Sequence, residues 1–126
     1  MDFETALYNE LNTVSGIGKV FPLDVIEGNK APFCVYESSD GVQEKTLSGF
    51  VSSTEIDVTL YVVQTSYSSV KSVSRTVINK LQSFQSRVIG GTGGVFVYDI
   101  TYDKPKEVYN NENLLYQAII DFTVKI

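Results

Sequence analysis

The chain has 126 residues, a formal net charge of −5, one cysteine and no histidine. That length is one domain's worth and lets a little over about 60% of the unfolded surface be buried, enough for a core without metal or disulfide staples. Without histidine the commonest general base, the commonest metal ligand and every Ser-His or Cys-His nucleophile pair are gone, a lone thiol supports neither a zinc site nor an internal disulfide, and the net acidity argues against a dedicated nucleic-acid reader.

Asp2 and Glu4 stand where a secretory signal carries basic residues, and no apolar run reaches the roughly 20 residues of a membrane-spanning helix, so the chain reads as soluble with no membrane partner. Phe3, Ala6, Leu7, Leu11 and Val14 recur at helical spacing and predict a helix from about Asp2 to Thr13, with Glu4 in its first turn and Ser15-Gly16-Ile17-Gly18 as its stop. Lys19-Val20-Phe21 predicts a brief strand ended by Pro22. Gly28-Asn29-Lys30 reads as a turn into a second strand, Phe33 to Tyr36, where Cys34 is expected as a small buried hydrophobe.

From Ser38 to Ser53 the chain is polar and punctuated by Gly41 and Gly49, which predicts a mobile loop or an extended hairpin. Ile56, Val58, Leu60 and Val62 then alternate with Glu55, Asp57 and Thr59, the two-residue period of a strand with one buried face. Ser66 is placed to cap a helix whose apolar stripe is Val70, Val73, Val77, Ile78, Leu81 and Phe84. Gly90 to Gly94 ends that unit in a flexible hairpin or loop. Phe96, Tyr98, Ile100 and Tyr102 predict one alternating strand, Asp103 to Asn113 an exposed connection, and Tyr116, Ala118, Ile120, Phe122, Val124 and Ile126 a closing strand. The expected fold is α+β, a mixed or antiparallel sheet of about four to five strands with two helices packed on one face, in a single domain over residues 1–126.

Motifs that could carry chemistry have plainer explanations. Gly16-Ile17-Gly18-Lys19 resembles a piece of a phosphate loop but follows a helix and precedes a strand, the reverse of the required order. Glu55 and Asp57 share a strand face, on the polar side of the alternation, where a solvated or interface surface is expected rather than acid–base work. No cofactor is expected. Charge is uneven: Lys71, Arg75, Lys80 and Arg87 fall in a stretch from Ser66 to Ile89 that holds no acid. An ordinary solvated helix face explains this; so does a two-signed subunit whose basic helix meets an acidic surface on a neighbour, as head-to-tail ring contacts require.

The order of these pieces carries a resemblance. An N-terminal helix with Leu7, Tyr8 and Leu11 comes first, then Val20-Phe21-Pro22, then Ala31-Pro32-Phe33-Cys34-Val35-Tyr36. A long strand, a helix ending Val77-Ile78-Asn79-Lys80-Leu81 and a closing strand complete it. Together they resemble the small tail-completion or tail-terminator proteins of long-tailed bacteriophages, over nearly the whole chain. The resemblance implies a non-catalytic virion protein at the head-proximal end of the tail, assembled in the host cytoplasm. It implies a homo-oligomeric ring, a hexamer, whose partners are the tail tube protein and the head-completion or connector protein, and through which DNA passes without specific binding.

On that reading Lys71, Arg75, Lys80, Glu55 and Asp57 are candidate subunit contacts. Gly41, Gly49, Phe50, Gly91, Gly93, Lys104, Lys106 and Tyr109 are candidate docking-loop residues. The alternatives are a head-completion or connector subunit of the same particle, or a regulatory domain that binds a small ligand in an apolar pocket.

Overall fold

The computed structural model describes residues 2–22, 30–39, 42–46, 49–111 and 114–126, and of 42–46 and 49–53 the backbone. Helix α1, Phe3–Leu11, begins where the Asp2 carboxylate accepts the Thr5 N–H at 2.8 Å. Strands β1, Lys19–Pro22, and β2, Phe33–Ser38, run parallel, and Val20 lies opposite Cys34. Strand β3, Val42–Thr46, folds back on β4, Gly49–Gln64. Helix α2, Tyr67–Gln82, opens on the Ser66 hydroxyl, which accepts from the Ser69 N–H at 3.2 Å. Strands β5, Arg87–Ile89, and β6, Val95–Val97, form a small hairpin; β7, Asp99–Tyr102, β8, Lys106–Asn110, and β9, Leu115–Lys125, follow.

Among the described residues the main sheet has seven strands, ordered β1-β2-β4-β9-β7, with β3 beside β4 and β8 beside β9; β5 and β6 form a separate pair. Only β1 and β2 pair in parallel, so the sheet is mixed. The α+β class and the two helices on one face agree with the sequence; the strand count is higher than expected. β4 is the spine, paired with β2 from Val58 to Val63 and with β9 from Glu55 to Gln64. Its N-terminal part, residues 49–53, pairs with β3 alone and extends the hairpin beyond the other strands.

Alternation decides what is buried. Ile56, Val58, Leu60 and Val62 on β4 share a face with Ala118, Ile120, Phe122 and Val124 on β9, and both helices press their stripes against it. Phe3, Leu7 and Leu11 come from α1, and Val70, Val73, Val77 and Leu81 from α2. Each large side chain buried here contributes about 1.5–3 kcal/mol relative to exposure, which outweighs the poor helix propensity of the valines in α2.

Two expectations are corrected. The stretch from Asp103 to Asn113 is not simply a connection: Lys106–Asn110 forms β8, which pairs with β9 from Leu115 to Ile119, its polar composition being that of an edge strand. The alternation from Phe96 to Tyr102 is not one strand. At Tyr98 the chain leaves β5 for β9, the Tyr98 N–H donating to the Lys125 carbonyl at 2.8 Å. That switch reverses the phase, so Val97 is buried while Phe96 and Tyr98 are exposed. Arg87 lies outside the helix, which ends at Gln82, and opens β5. Gly90 to Gly94 turns the β5–β6 hairpin, in line with the hairpin or loop expected there, closed by a Gly94 N–H to Gly91 carbonyl bond of 3.0 Å; a Cβ at Gly94 would lie 2.0 Å from the Ile89 carbonyl oxygen.

Candidate functional site

Among the described residues the surface comprises two sheet edges, the helix layer and the sheet face away from the helices. Paired residues of neighbouring antiparallel strands share a face, so the register places Glu37, Glu55, Asp57, Asp99 and Asp121 with Thr59, Thr101 and Thr123, and with Lys106 and Lys125, on the side away from the helices, where acids outnumber bases. Asp57 accepts the Thr123 hydroxyl at 2.7 Å, and Asp121 accepts the Thr59 hydroxyl at 2.6 Å, so two carboxylates are held on the sheet by cross-strand bonds. Asp57, Asp103 and Asp121 line a shallow groove of about 300 Å³ with Thr59, Thr101 and Thr123. This lining suits water and cations rather than an apolar ligand. Towards β1 the same face turns apolar, with Phe21 and Phe33 edge to face at 6.4 Å and Val35 and Val63 buried.

The helix layer is tied down by ion pairs the sequence did not reveal. Glu10 is 7% exposed and accepts the Gly90 N–H at 3.0 Å, the Arg87 guanidinium at 2.5 Å and the Lys80 ammonium at 3.3 Å. Burial pushes its carboxyl up, but the Gly90 N–H and the two cations outweigh burial and hold it below the usual glutamate value. Nothing local marks Glu10, because its partners lie 77 and 80 residues away. Lys71 pairs with Glu107 of β8 at 3.0 Å, and that bond raises its ammonium above the ordinary lysine value.

Of the candidate subunit contacts, then, Lys71 and Lys80 are engaged within the chain, Arg75 is exposed without a partner among the described residues, Asp57 lies on the open face and Glu55 is half-buried at its end. The docking candidates are scattered. Gly41 lies outside the described residues; Gly49 and Phe50 belong to β4 and Lys106 and Tyr109 to β8, strands instead of loops, because backbone pairing captured both polar stretches. Gly91 and Gly93 sit in the β5–β6 turn, and Lys104 in the short link between β7 and β8.

Exposed aromatic residues gather at two places. Tyr67 and Tyr109 both contact the Tyr116 ring, at 6.1 and 4.7 Å, at the start of α2; Phe96 and Tyr98 pack edge to face at 4.9 Å on the small hairpin. Cys34 is fully buried, and burial pushes its thiol up to about 12, so it is a packing residue and no nucleophile. No group of three or more His, Cys, Asp or Glu among the described residues is arranged to hold a metal ion, and no described helix is long and apolar enough to cross a membrane.

No protein-family model matches this chain, and no curated protein matches it in sequence. Its fold has a solved counterpart: a chain from the structure described as "Virion of native gene transfer agent (GTA) particle" superposes with a TM-score of 0.70 over 98% of this chain and 92% of that one, at 12% sequence identity.

Proposed function

We propose that this chain is a structural subunit of a tailed-phage-like particle, one that forms a ring, a hexamer, on the head-proximal end of the tail tube, stops tube growth and offers the head connector a joining surface. The carrying observation is the nearly full-length fold shared with a chain of a gene transfer agent virion, which agrees with the order of sequence marks that resembles tail terminators. The role needs no catalysis. The acidic sheet face, with Glu37, Asp57 and Asp121, faces the channel, where a negative wall lets DNA slide instead of holding its phosphates. The β3–β4 hairpin arm reaches a partner ring or tube, since it extends past the strands that cover the rest of β4.

The test is electron microscopy of purified protein mixed with tail tubes. Density capping one tube end, with tube length fixed once it is bound, supports termination. Density on the head connector and bare tube ends would move the chain to the head-completion class. Binding to neither would sink the reading.

A further inference from the structure

Charge on the helix layer is sorted by helix, although the edge strands beside each helix carry both signs, Lys19 on β1 and Asp99 and Glu107 on β7 and β8. α1 with its cap holds Asp2, Glu4 and Glu10 and no basic residue; α2 holds Lys71, Arg75 and Lys80 and no acid. Among the described residues, the two helices share one ion pair, Glu10 with Lys80 at 3.3 Å. What remains points outward at opposite ends of the sheet. α1 lies over the β1–β2 end, where Glu4 accepts the Ser38 hydroxyl at 2.8 Å and, with Tyr8 and Asp2, stands beside Tyr36. α2 lies towards the β7–β8 end, bonded through Lys71 to Glu107 and through Gln82 to Tyr102.

At the α1 edge, Asp2 and Glu4 have hydroxyl and amide partners but no cation among the described residues. At the α2 edge Arg75 is exposed with no anion partner among the described residues; Lys104 and Lys106 are exposed on the same edge, as are Asp99 and Asp103, and Glu107 there is paired with Lys71. Each edge also exposes tyrosine, Tyr8 at 41% on one and Tyr67 at 56% with Tyr109 at 44% on the other, side chains suited to contact surfaces because one end is apolar and the other can stay wet.

We infer that the α2 edge of one copy docks on the α1 edge of the next, with Arg75 set against Glu4 and Asp2 of the second copy. The inference rests on the ring reading above and names its interface. A two-fold dimer pairing α1 with α1, or α2 with α2, would set like charges together, whereas α2 of one copy against α1 of the next makes a heterologous, head-to-tail contact, the kind that closes into rings. Lys71 and Lys80, being satisfied internally, serve as supports that hold α2 in place, and Arg75 is the residue that reaches across.

The experiment compares wild-type chain, Arg75→Glu, Glu4→Arg and the double variant for ring formation in the presence of tail tubes, by native mass spectrometry and electron microscopy, with circular dichroism to verify folding. Both positions are exposed, so all four should fold; Arg75→Gln and Glu4→Gln stand in if a reversal does not. Each single reversal should weaken assembly about tenfold or more, and less in high salt, while the double variant regains it. In parallel, a mixture of Glu4→Cys chain and Arg75→Cys chain should give a disulfide-linked pair that neither chain gives alone. Single reversals equal to wild type, or a mixture that does not cross-link, would overturn the pairing. Capped tubes without the cross-link would leave the ring reading standing and remove this interface; the cross-link with bare tube ends would do the reverse.

Discussion

At the residue scale, Gly18 is, like Gly94, a glycine where a side chain would strike the backbone. Gly18 has φ +78°, and a Cβ built there would lie 2.0 Å from the Pro32 carbonyl oxygen and 2.5 Å from its carbon, so two backbones cross where β1 and β2 begin. Gly91 has a similar φ of +91° with nothing within 4 Å of its Cβ position. Gly91→Ala should therefore cost only the left-handed backbone penalty, about 1 kcal/mol, whereas Gly18→Ala adds the collision and should cost about 2–4 kcal/mol. Urea titrations of the two variants measure the difference. Equal midpoints would show that the crossing relaxes freely. The sequence marked Gly18 correctly as part of a helix stop; that Pro32 closes over it is a contact between loops 14 residues apart, which no local pattern encodes.

At the element scale the helices and the small hairpin are joined through Glu10. Its carboxylate binds the C-terminal part of α2 through Lys80 and the β5 hairpin through Arg87 and the Gly90 N–H. The folded value lies below the ordinary 4.5 of glutamate, so the stabilisation is fully present above that value and is lost as pH falls through the lower folded one. Glu10→Gln should lower unfolding free energy at pH 7 by about 1–2 kcal/mol, the Arg87 side chain being 40% exposed and part of the pair screened, and the gap from wild type should close towards pH 3. Denaturant unfolding at both pH values checks it; a gap independent of pH would mean that shape rather than charge is at stake. The elements with long periods, α1, β4, α2 and β9, were legible because each buries a full stripe of its own. β8 was not, because Lys106–Asn110 is an edge strand with one aliphatic residue, and its pairing with β9 replaces any pattern it could show. The break at Tyr98 was hidden for a related reason: alternation reports faces of one strand, and here the chain changes partner mid-run.

At the scale of the whole molecule, charge is sorted twice, between the acidic α1 and the basic α2 and through the sheet from helix layer to open face. The first sorting was half visible in the sequence, as a basic stretch free of acid; its acidic counterpart needed the strand order, since α1 and α2 reach opposite edges only once β1 and β8 are placed. The second gives a separate prediction. Asp57 and Asp121 are exposed on the open face, each bonded to a threonine hydroxyl, so Asp57→Lys and Asp121→Lys together should fold with a loss of no more than about 1–2 kcal/mol. The change shifts four units of charge onto one face of a chain whose net charge is −5, and if that face is the channel wall it replaces repulsion of phosphate by attraction. Assembled rings of the double variant should retain duplex DNA in a gel-shift experiment at low salt and release it as salt rises, while wild-type rings retain none. If the variant rings assemble and still ignore DNA at low salt, the acidic face points away from the channel, and the ring must be oriented with its helices inward.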